Sequence, residues 1–166
     1  MNQTVSDYRF KFSVVTAVYN VEPYLAEAIE SILTQDIGFE ESVEIILVDD
    51  GSTDRSGMIC DEYQQKFPDN IKVIHKENGG HGSAVNAGLA NASGIYYKVL
   101  DSDDWFDEQA LIKVMDILKG FVKDGKGVDM FLANYVYEKP SLQKHKAIRY
   151  GGVFPQNEIF TWSDVG

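Results

Sequence analysis

Short apolar runs and amphipathic helical stripes alternate along this chain, and this alternation limits the possible folds more than any other feature. The runs are rich in β-branched residues and have the length of buried strands. The segments between them carry apolar residues every three or four positions, as helices that cover a sheet do. Strands are expected at 12–18, 44–48, 71–75, 95–100 and 128–133. This order predicts an α/β fold with a mostly parallel sheet and helices on both of its faces.

Helix signals separate the expected strands. Pro23 suits a first helical turn, and Pro68 ends a second helical stripe that includes Ile59 and Tyr63. Further helices are expected at about 83–91 and 108–118. The length of 166 residues suits one domain, so we expect residues 1–166 to form a single domain.

The charge balance and the single cysteine exclude several classes of function. With 15 basic and 26 acidic residues the formal net charge is −11, which argues against nucleic-acid binding and against an anionic membrane face. Cys60 is the only cysteine, so neither an intrachain disulfide nor a cysteine-based zinc site is possible. The sequence has no targeting segment and no stretch of transmembrane length, so a cytoplasmic location is expected.

Polar residues follow three of the expected strands. Tyr19-Asn20 follows the first strand, the segment 49–52 (DDGS) the second, and the segment 101–104 (DSDD) the fourth. Because ligands bind beyond the carboxyl ends of parallel strands, the two acidic clusters are expected to meet at one edge. A divalent cation would offset their repulsion, and carboxylate oxygens favour Mg²⁺ or Mn²⁺ over Zn²⁺.

Simpler structural roles compete with this interpretation. Asp54 and Asp107 stand where helix N-caps are expected, and we interpret them as caps. The segment 78–83 (NGGHGS) opens a helix and could approach a phosphate, although glycine-rich turns are common. Within it, His81 is interpreted as a loop side chain rather than as a catalytic base. Cys60 is interpreted as a packing residue.

Three motifs in order and spacing resemble family 2 glycosyltransferases of the GT-A fold. They are SVVTAVYN (13–20), VDDGSTD (48–54) and LDSDD (100–104), with NAG (86–88) and ASG (92–94) between the last two. The resemblance covers about residues 10–106. It implies a glycosyltransferase that moves a sugar from a nucleotide-diphospho-sugar, expected to be a UDP-sugar, to a saccharide or lipid-linked acceptor. It also implies inversion at the sugar and a dependence on Mn²⁺ or Mg²⁺.

The resemblance also implies roles for single residues. Ala17 and Tyr19 would line the nucleotide base, and Asp50 would accept a hydrogen bond from uracil. Asp103 would ligate the metal, with Asp104 as an alternative, and Asp101 would hold the ribose or a metal-bound water. The expected nucleotide-binding set is Ala17, Tyr19, Asp50, Ser52, Ser83, Asp101 and Ser102, and the expected metal set is Asp101, Asp103 and Asp104.

Two departures from the family pattern stand out. Val85 occupies a position where the family often has arginine. The acids after Asp129 are Glu138, Glu158 and Asp164, and none stands in the context of the family's catalytic base. We therefore expect the base beyond Gly166, and the chain to be the donor-binding portion of a longer enzyme that could lie at the inner membrane face.

Other functions stay open at this stage. They are a nucleotide-sugar-binding module without turnover and, more distantly, a sugar nucleotidyltransferase or a phospho-acceptor receiver domain. The stretch from Lys139 to Asn157 has four basic residues and no acid, and it is interpreted as a solvated tail or loop. Its basic part, Lys139 to Arg149, could instead face an anionic acceptor or join to further residues of a longer enzyme.

Overall fold

A parallel four-stranded sheet organises the first part of the chain. Its strands are β1 (Phe12–Val18), β2 (Val43–Asp49), β3 (Ile71–His75) and β4 (Tyr96–Val99). The computed structural model describes residues 11–33, 37–139 and 144–164, and the strand order within the sheet is β3-β2-β1-β4. Val14 pairs with Ile45, and Ile45 in turn pairs with Ile71. The polar residues that follow β1, β2 and β4 therefore meet at the carboxyl edge of the sheet.

Within the described ranges, five α-helices connect or follow these strands. They are α1 (Glu22–Leu33), α2 (Phe39–Ser42), α3 (Ser56–Lys66), α4 (His81–Leu89) and α5 (Glu108–Lys123). The apolar stripe of α1 is buried, as are Leu111, Met115 and Leu118 of α5. Asp107 accepts a hydrogen bond from the Ala110 amide at 2.8 Å, so it caps α5 as expected.

Both faces of the central strands are covered. Every residue of β1 is buried, although successive side chains of a strand point to opposite faces. On one face, Val15 and Ala17 pack with Val48 of β2 and with Ala84 of α4. The α/β prediction with a parallel, helix-flanked sheet is therefore confirmed.

A half-buried carboxylate, that of Glu44, connects the strands at the amino-terminal edge of the sheet. Glu44 accepts hydrogen bonds from the Ser13 hydroxyl, from the amide and hydroxyl of Ser93 and from the Gly94 amide, and Lys11 lies 3.4 Å away. Burial alone raises the pKa of Glu44, but these hydrogen bonds and the Lys11 charge bring it below its ordinary value. The ASG motif at 92–94 therefore joins β1 to β2 at the edge opposite the polar clusters.

Residues 121–164 belong to a second compact unit, since the chain divides between Gly120 and Phe121. Its main element is an antiparallel hairpin of β5 (Tyr135–Lys139) and β6 (Lys144–Ile148). The rings of Tyr135 and Tyr137 meet edge to face, with centroids 5.2 Å apart. The expectation of one domain over 1–166 stays a prediction.

Two predictions for this second unit are wrong. No strand forms at 128–133, and the strand begins instead at Tyr135. A strand needs a partner for its backbone groups, and β6 lies opposite 135–139 rather than opposite the apolar run. The basic stretch contributes β6 instead of a loop, although residues 144–147 are exposed; its residues 140–143 lie outside the described part.

The described segments contain no helix with the length and apolar character that a membrane span requires.

Candidate functional site

A cleft of about 310 Å³ opens at the carboxyl edge of the parallel sheet. Its wall combines the end of β1, the residue after β2, the start of α4 and the turn after β4. The lining residues are Ala17, Val18, Tyr19, Asp50, Asn78, Gly80, His81, Ala84 and Ser102. Three of the four strands thus bring their following residues to one cavity, as the sheet topology requires.

Asp50 is the most strongly bonded side chain of this cleft. Its Oδ1 accepts hydrogen bonds from Lys76 Nζ and, at 3.0 Å, from the Gly79 amide; its Oδ2 accepts one from the Gly80 amide at 2.8 Å. The side chain is only 3% exposed. The hydrogen bond from Lys76, followed by those from the two amides, holds the pKa of Asp50 below its ordinary value. Asp50 is therefore an anion that also fixes the glycine-rich loop before α4.

A second network joins the first two motifs. Asn20 adopts a left-handed backbone with φ of 53°, and its Oδ1 accepts hydrogen bonds from the Thr53 amide at 2.8 Å and the Asp54 amide at 3.3 Å. The backbone amide of Asn20 donates a hydrogen bond to Ser52 Oγ at 3.1 Å. Asp54 accepts from the backbone amides of Ser56 and Glu22, so it bonds the first residue of α3 and the first residue of α1. The N-cap position of α3 is Arg55, one residue later than the sequence predicts. These contacts give the two motifs a shared structural role, because the loop at 19–20 and the loop at 51–54 stabilise each other by hydrogen bonds.

The start of α4 faces the cleft with His81 and with backbone amides. Gly80, which precedes it, has φ of 85°, a region that glycine adopts without strain. The first helical hydrogen bond runs from the Ala84 amide to the Gly80 carbonyl at 3.1 Å. The amides of residues 81–83 therefore precede the helical ladder and give this end a partial positive charge.

The acidic motif after β4 combines one buried and three exposed side chains. Ser102 is buried and lines the cleft, whereas Asp101, Asp103 and Asp104 are exposed. A turn closes between the Asp104 amide and the Asp101 carbonyl at 3.0 Å. Burial, followed by the charges of Asp103 and Asp101, raises the pKa of Asp104. Across the cleft, His81 Nε2 lies 3.7 Å from Asp101 Oδ1.

The acidic motif by itself is not a complete metal site. In the described ranges, no three His, Cys, Asp or Glu side chains come together as metal ligands. The donor chemistry nevertheless fits a hard cation, because these ligands are carboxylates and Mg²⁺ usually takes only one or two of them together with substrate phosphates. The mutual repulsion at Asp104 is also what a cation would relieve.

The structure brings together only part of the predicted site. Ala17, Tyr19, Asp50 and Ser102 line the cleft, and Asp101 faces it from beside His81. Ser52 accepts from Asn20 and Ser83 lies beside the Gly79 turn; neither lines the cavity. The lining residues that the sequence analysis did not assign are Val18, Asn78, Gly80, His81 and Ala84. Three of these, Asn78, Gly80 and His81, lie in the NGGHGS segment (78–83), which the sequence analysis identified as a possible approach to a phosphate.

Cys60 offers no alternative nucleophile. It is fully buried, and burial raises the pKa of its thiol to about 12. The interpretation of Cys60 as a packing residue agrees with this.

Comparison with known proteins decides the family. The model of glycosyl transferase family 2 matches residues 13–160, which includes all three motifs and the whole cleft. The chain belongs to this family. The predicted family membership is therefore confirmed.

The chain is similar to proteins of known name and to solved structures. The chain is 50% identical over 109 residues to the minor teichoic acid biosynthesis protein GgaB of Bacillus subtilis, an alignment that covers 66% of this chain and 12% of GgaB. The crystal structure of S. aureus TarS 1-349 in complex with UDP-GlcNAc matches with a TM-score of 0.61 and 33% identity. That match covers 68% of this chain and 32% of the TarS chain.

A more distant neighbour contains a metal. The mannosyltransferase PcManGT from Pyrobaculum calidifontis, in complex with GDP-Man and Mn²⁺, matches with a TM-score of 0.57 and 26% identity over 64% of this chain and 31% of that one. The chain thus spans only an eighth to a third of the proteins it resembles here.

Proposed function

We propose that this chain is the donor-binding part of a metal-dependent glycosyltransferase that uses a UDP-sugar. The observation that carries the proposal is the cleft at the carboxyl edge of the sheet, where Asp50 and Ser102 of the DSDD turn line one cavity in a family 2 chain. The TarS complex with UDP-GlcNAc supports a nucleotide-sugar as the ligand. The other candidate nucleotide is GDP, because PcManGT holds GDP-Man.

Asp50 is the proposed partner of the base. A carboxylate oxygen accepts two hydrogen bonds, and Oδ1 already has two donors, Lys76 and Gly79. Oδ2 has one short donor, Gly80, and a longer contact of 3.2 Å from Gly79. A further donor such as the imide N–H of uracil would therefore meet Oδ2. Ala17 and Tyr19 would line the base, since both border the same cavity.

The diphosphate is proposed to lie between the start of α4 and the acidic turn. The amides at the start of α4 favour a phosphate oxygen. Asp103, with Asp101 or Asp104, would hold Mg²⁺ or Mn²⁺ there, in a site that donor phosphates complete. When bound, such a cation offsets the negative charge that grows on the leaving diphosphate. Ser102 would support this turn from its buried position.

The acceptor and the catalytic base belong to the longer protein that we propose. The name of GgaB favours a teichoic acid or related polysaccharide as the acceptor class. Such an acceptor is consistent with a cytoplasmic enzyme that works at the inner face of the membrane. The family resemblance implies inversion at the transferred sugar.

Calorimetric titration of the whole chain with UDP and with GDP, each with and without Mn²⁺, tests this proposal. We expect UDP to bind more tightly than GDP and only in the presence of Mn²⁺. Asp103→Ala should weaken UDP binding by about tenfold or more, because it removes a charged ligand. Asp116→Ala, which removes an exposed carboxylate of α5, is the matched control and should change nothing.

Two results would contradict the proposal. One is the absence of UDP binding in the presence of Mn²⁺; the other is equal affinity in the wild type and in Asp103→Ala. Release of UDP from UDP-GlcNAc by this chain would separate a transferase from a binding module without turnover.

A further inference from the structure

His81 is the basic side chain that the structure places in the wall of the cleft. In the part of the chain that the structure describes, the other lining residues are apolar, uncharged or, in the case of Asp50, acidic. The His81 side chain is 64% exposed. Lys76 lies nearby, but its ammonium group is bonded to Asp50 and to the Glu77 carbonyl. An anionic ligand that enters the cleft therefore meets the His81 ring as the basic side chain of the described lining, beside the neutral donors of Tyr19, Asn78 and Ser102.

The His81 ring has room for such a ligand. Its Nε2 lies 3.7 Å from Asp101 Oδ1, which is within ion-pair range but too long for a hydrogen bond. No hydrogen bond to either ring nitrogen forms within the described ranges. The ring thus lies beside the acidic turn while its N–H donor is free of a protein hydrogen bond in the described ranges.

The position of His81 on α4 matches this role. Residues four apart share a face of a helix, and the next residue on this face, Val85, packs against the apolar core. The face of α4 therefore changes from apolar at Val85 to basic at His81, at the point where the helix reaches the cleft.

We propose that His81 donates a hydrogen bond to the diphosphate of the nucleotide donor, and that it thereby makes the cleft prefer a nucleoside diphosphate over the nucleoside. This inference rests on the proposed function and deepens it. His81, beside Asp101, would bind the diphosphate of the nucleotide donor, whereas Asp50 would hold the base. The two parts of the ligand would then depend on different side chains.

Titration of the whole chain with UDP and with uridine, in the presence of Mn²⁺, tests this inference. In His81→Ala we expect UDP affinity to fall about tenfold, as for the loss of one charge-assisted hydrogen bond, while uridine affinity stays the same. His81→Gln keeps an N–H donor and should recover part of the UDP affinity. His145→Ala, at an exposed histidine of β6, is the control and should bind UDP like the wild type.

The outcomes separate this inference from the function on which it rests. Equal UDP affinity in the wild type and in His81→Ala would overturn the inference and leave UDP binding intact. A parallel loss of UDP and uridine affinity in both His81 variants would also overturn it, because that pattern indicates a distorted cleft. Failure of the wild type to bind UDP would overturn the proposed function itself. The thermal midpoint of each variant shows whether it is folded.

Discussion

At the level of single residues, the sequence predicts which side chains lie near the cleft better than it predicts their hydrogen-bond partners. Asp50 could be singled out from the sequence because it follows a buried strand beside a second acid. Its bonds to Lys76, Gly79 and Gly80 could not, since these residues lie 26 to 30 positions further along the chain. For Ser52 the predicted role differs from the observed contact. The motif suggests a contact with the ligand, but the Ser52 hydroxyl accepts a hydrogen bond from the backbone amide of Asn20.

His75 gives the fold a pH dependence at the residue scale. Its ring lies between Asp49 Oδ2 at 2.9 Å from Nδ1 and Asp61 Oδ1 at 3.0 Å from Nε2. The hydrogen bond with Asp61, followed by that with Asp49, raises the pKa of His75 above 6.5. A raised pKa in the folded state means that protonation stabilises the fold. The contribution is complete below about pH 6.5 and is lost as the pH rises through the folded value.

Urea denaturation at pH 6 and at pH 9 measures this contribution. We expect the wild type to lose stability between these values relative to His75→Gln. The difference should be small, because the ring is half-exposed and solvent screens the pair. His145→Gln is the control and should follow the wild type. Identical pH profiles for the wild type and His75→Gln would contradict this account.

At the scale of elements, the sequence predicts what is buried and local better than what depends on distant pairing. The strands β1 to β3 lie within a residue of their expected positions, because continuous apolar runs of that length fit a sheet covered on both faces. The strand expected at 128–133 fails for the opposite reason. The position of the strand depends on pairing with β6, and the apolar residues at 128–133 do not by themselves specify that partner.

In helix α4, close packing against the sheet requires a glycine at one position, Gly88. A Cβ on Gly88 would overlap the Val15 side chain and lie 3.3 Å from Val48 Cγ2. The glycine of the NAG motif therefore lets α4 approach the sheet closely. This packing also places the start of α4 at the cleft.

Gly88→Ala should destabilise the protein by about 1–3 kcal/mol, the usual cost of adding a methyl group to a packed core. The midpoint of urea denaturation measures it. Gly82→Ala in the same helix is a matched control: a Cβ there has nothing within 4 Å, so alanine should leave stability unchanged or raise it by up to about 1 kcal/mol through its helix propensity. Equal effects of the two substitutions would show that α4 tolerates a side chain at this contact.

At the scale of the whole molecule, part of the net charge of −11 is concentrated at one edge of the sheet. Asp49, Asp50, Asp101, Asp103 and Asp104 place five of the 26 acids at or next to the carboxyl ends of β2 and β4. Two of these already have a partner: Asp50 is paired with Lys76, and Asp49 shares a hydrogen bond with His75, which carries a charge only when it is protonated. The remaining three form the turn where we propose the cation and the diphosphate. The family and this edge could be predicted from the sequence, but the cleft's own wall, including His81 and Asn78, required the fold.

Hydrogen exchange of the whole chain, with and without UDP and Mn²⁺, tests the central claim most directly because it locates the ligand. We expect added protection in three separate segments, 17–20, 78–84 and 101–104, which meet only in the folded sheet. Asp103→Ala should lose the protection at 101–104. Protection that is absent from these segments, or that appears only elsewhere, such as at 135–148, would contradict the assignment of this cleft as the nucleotide-sugar site.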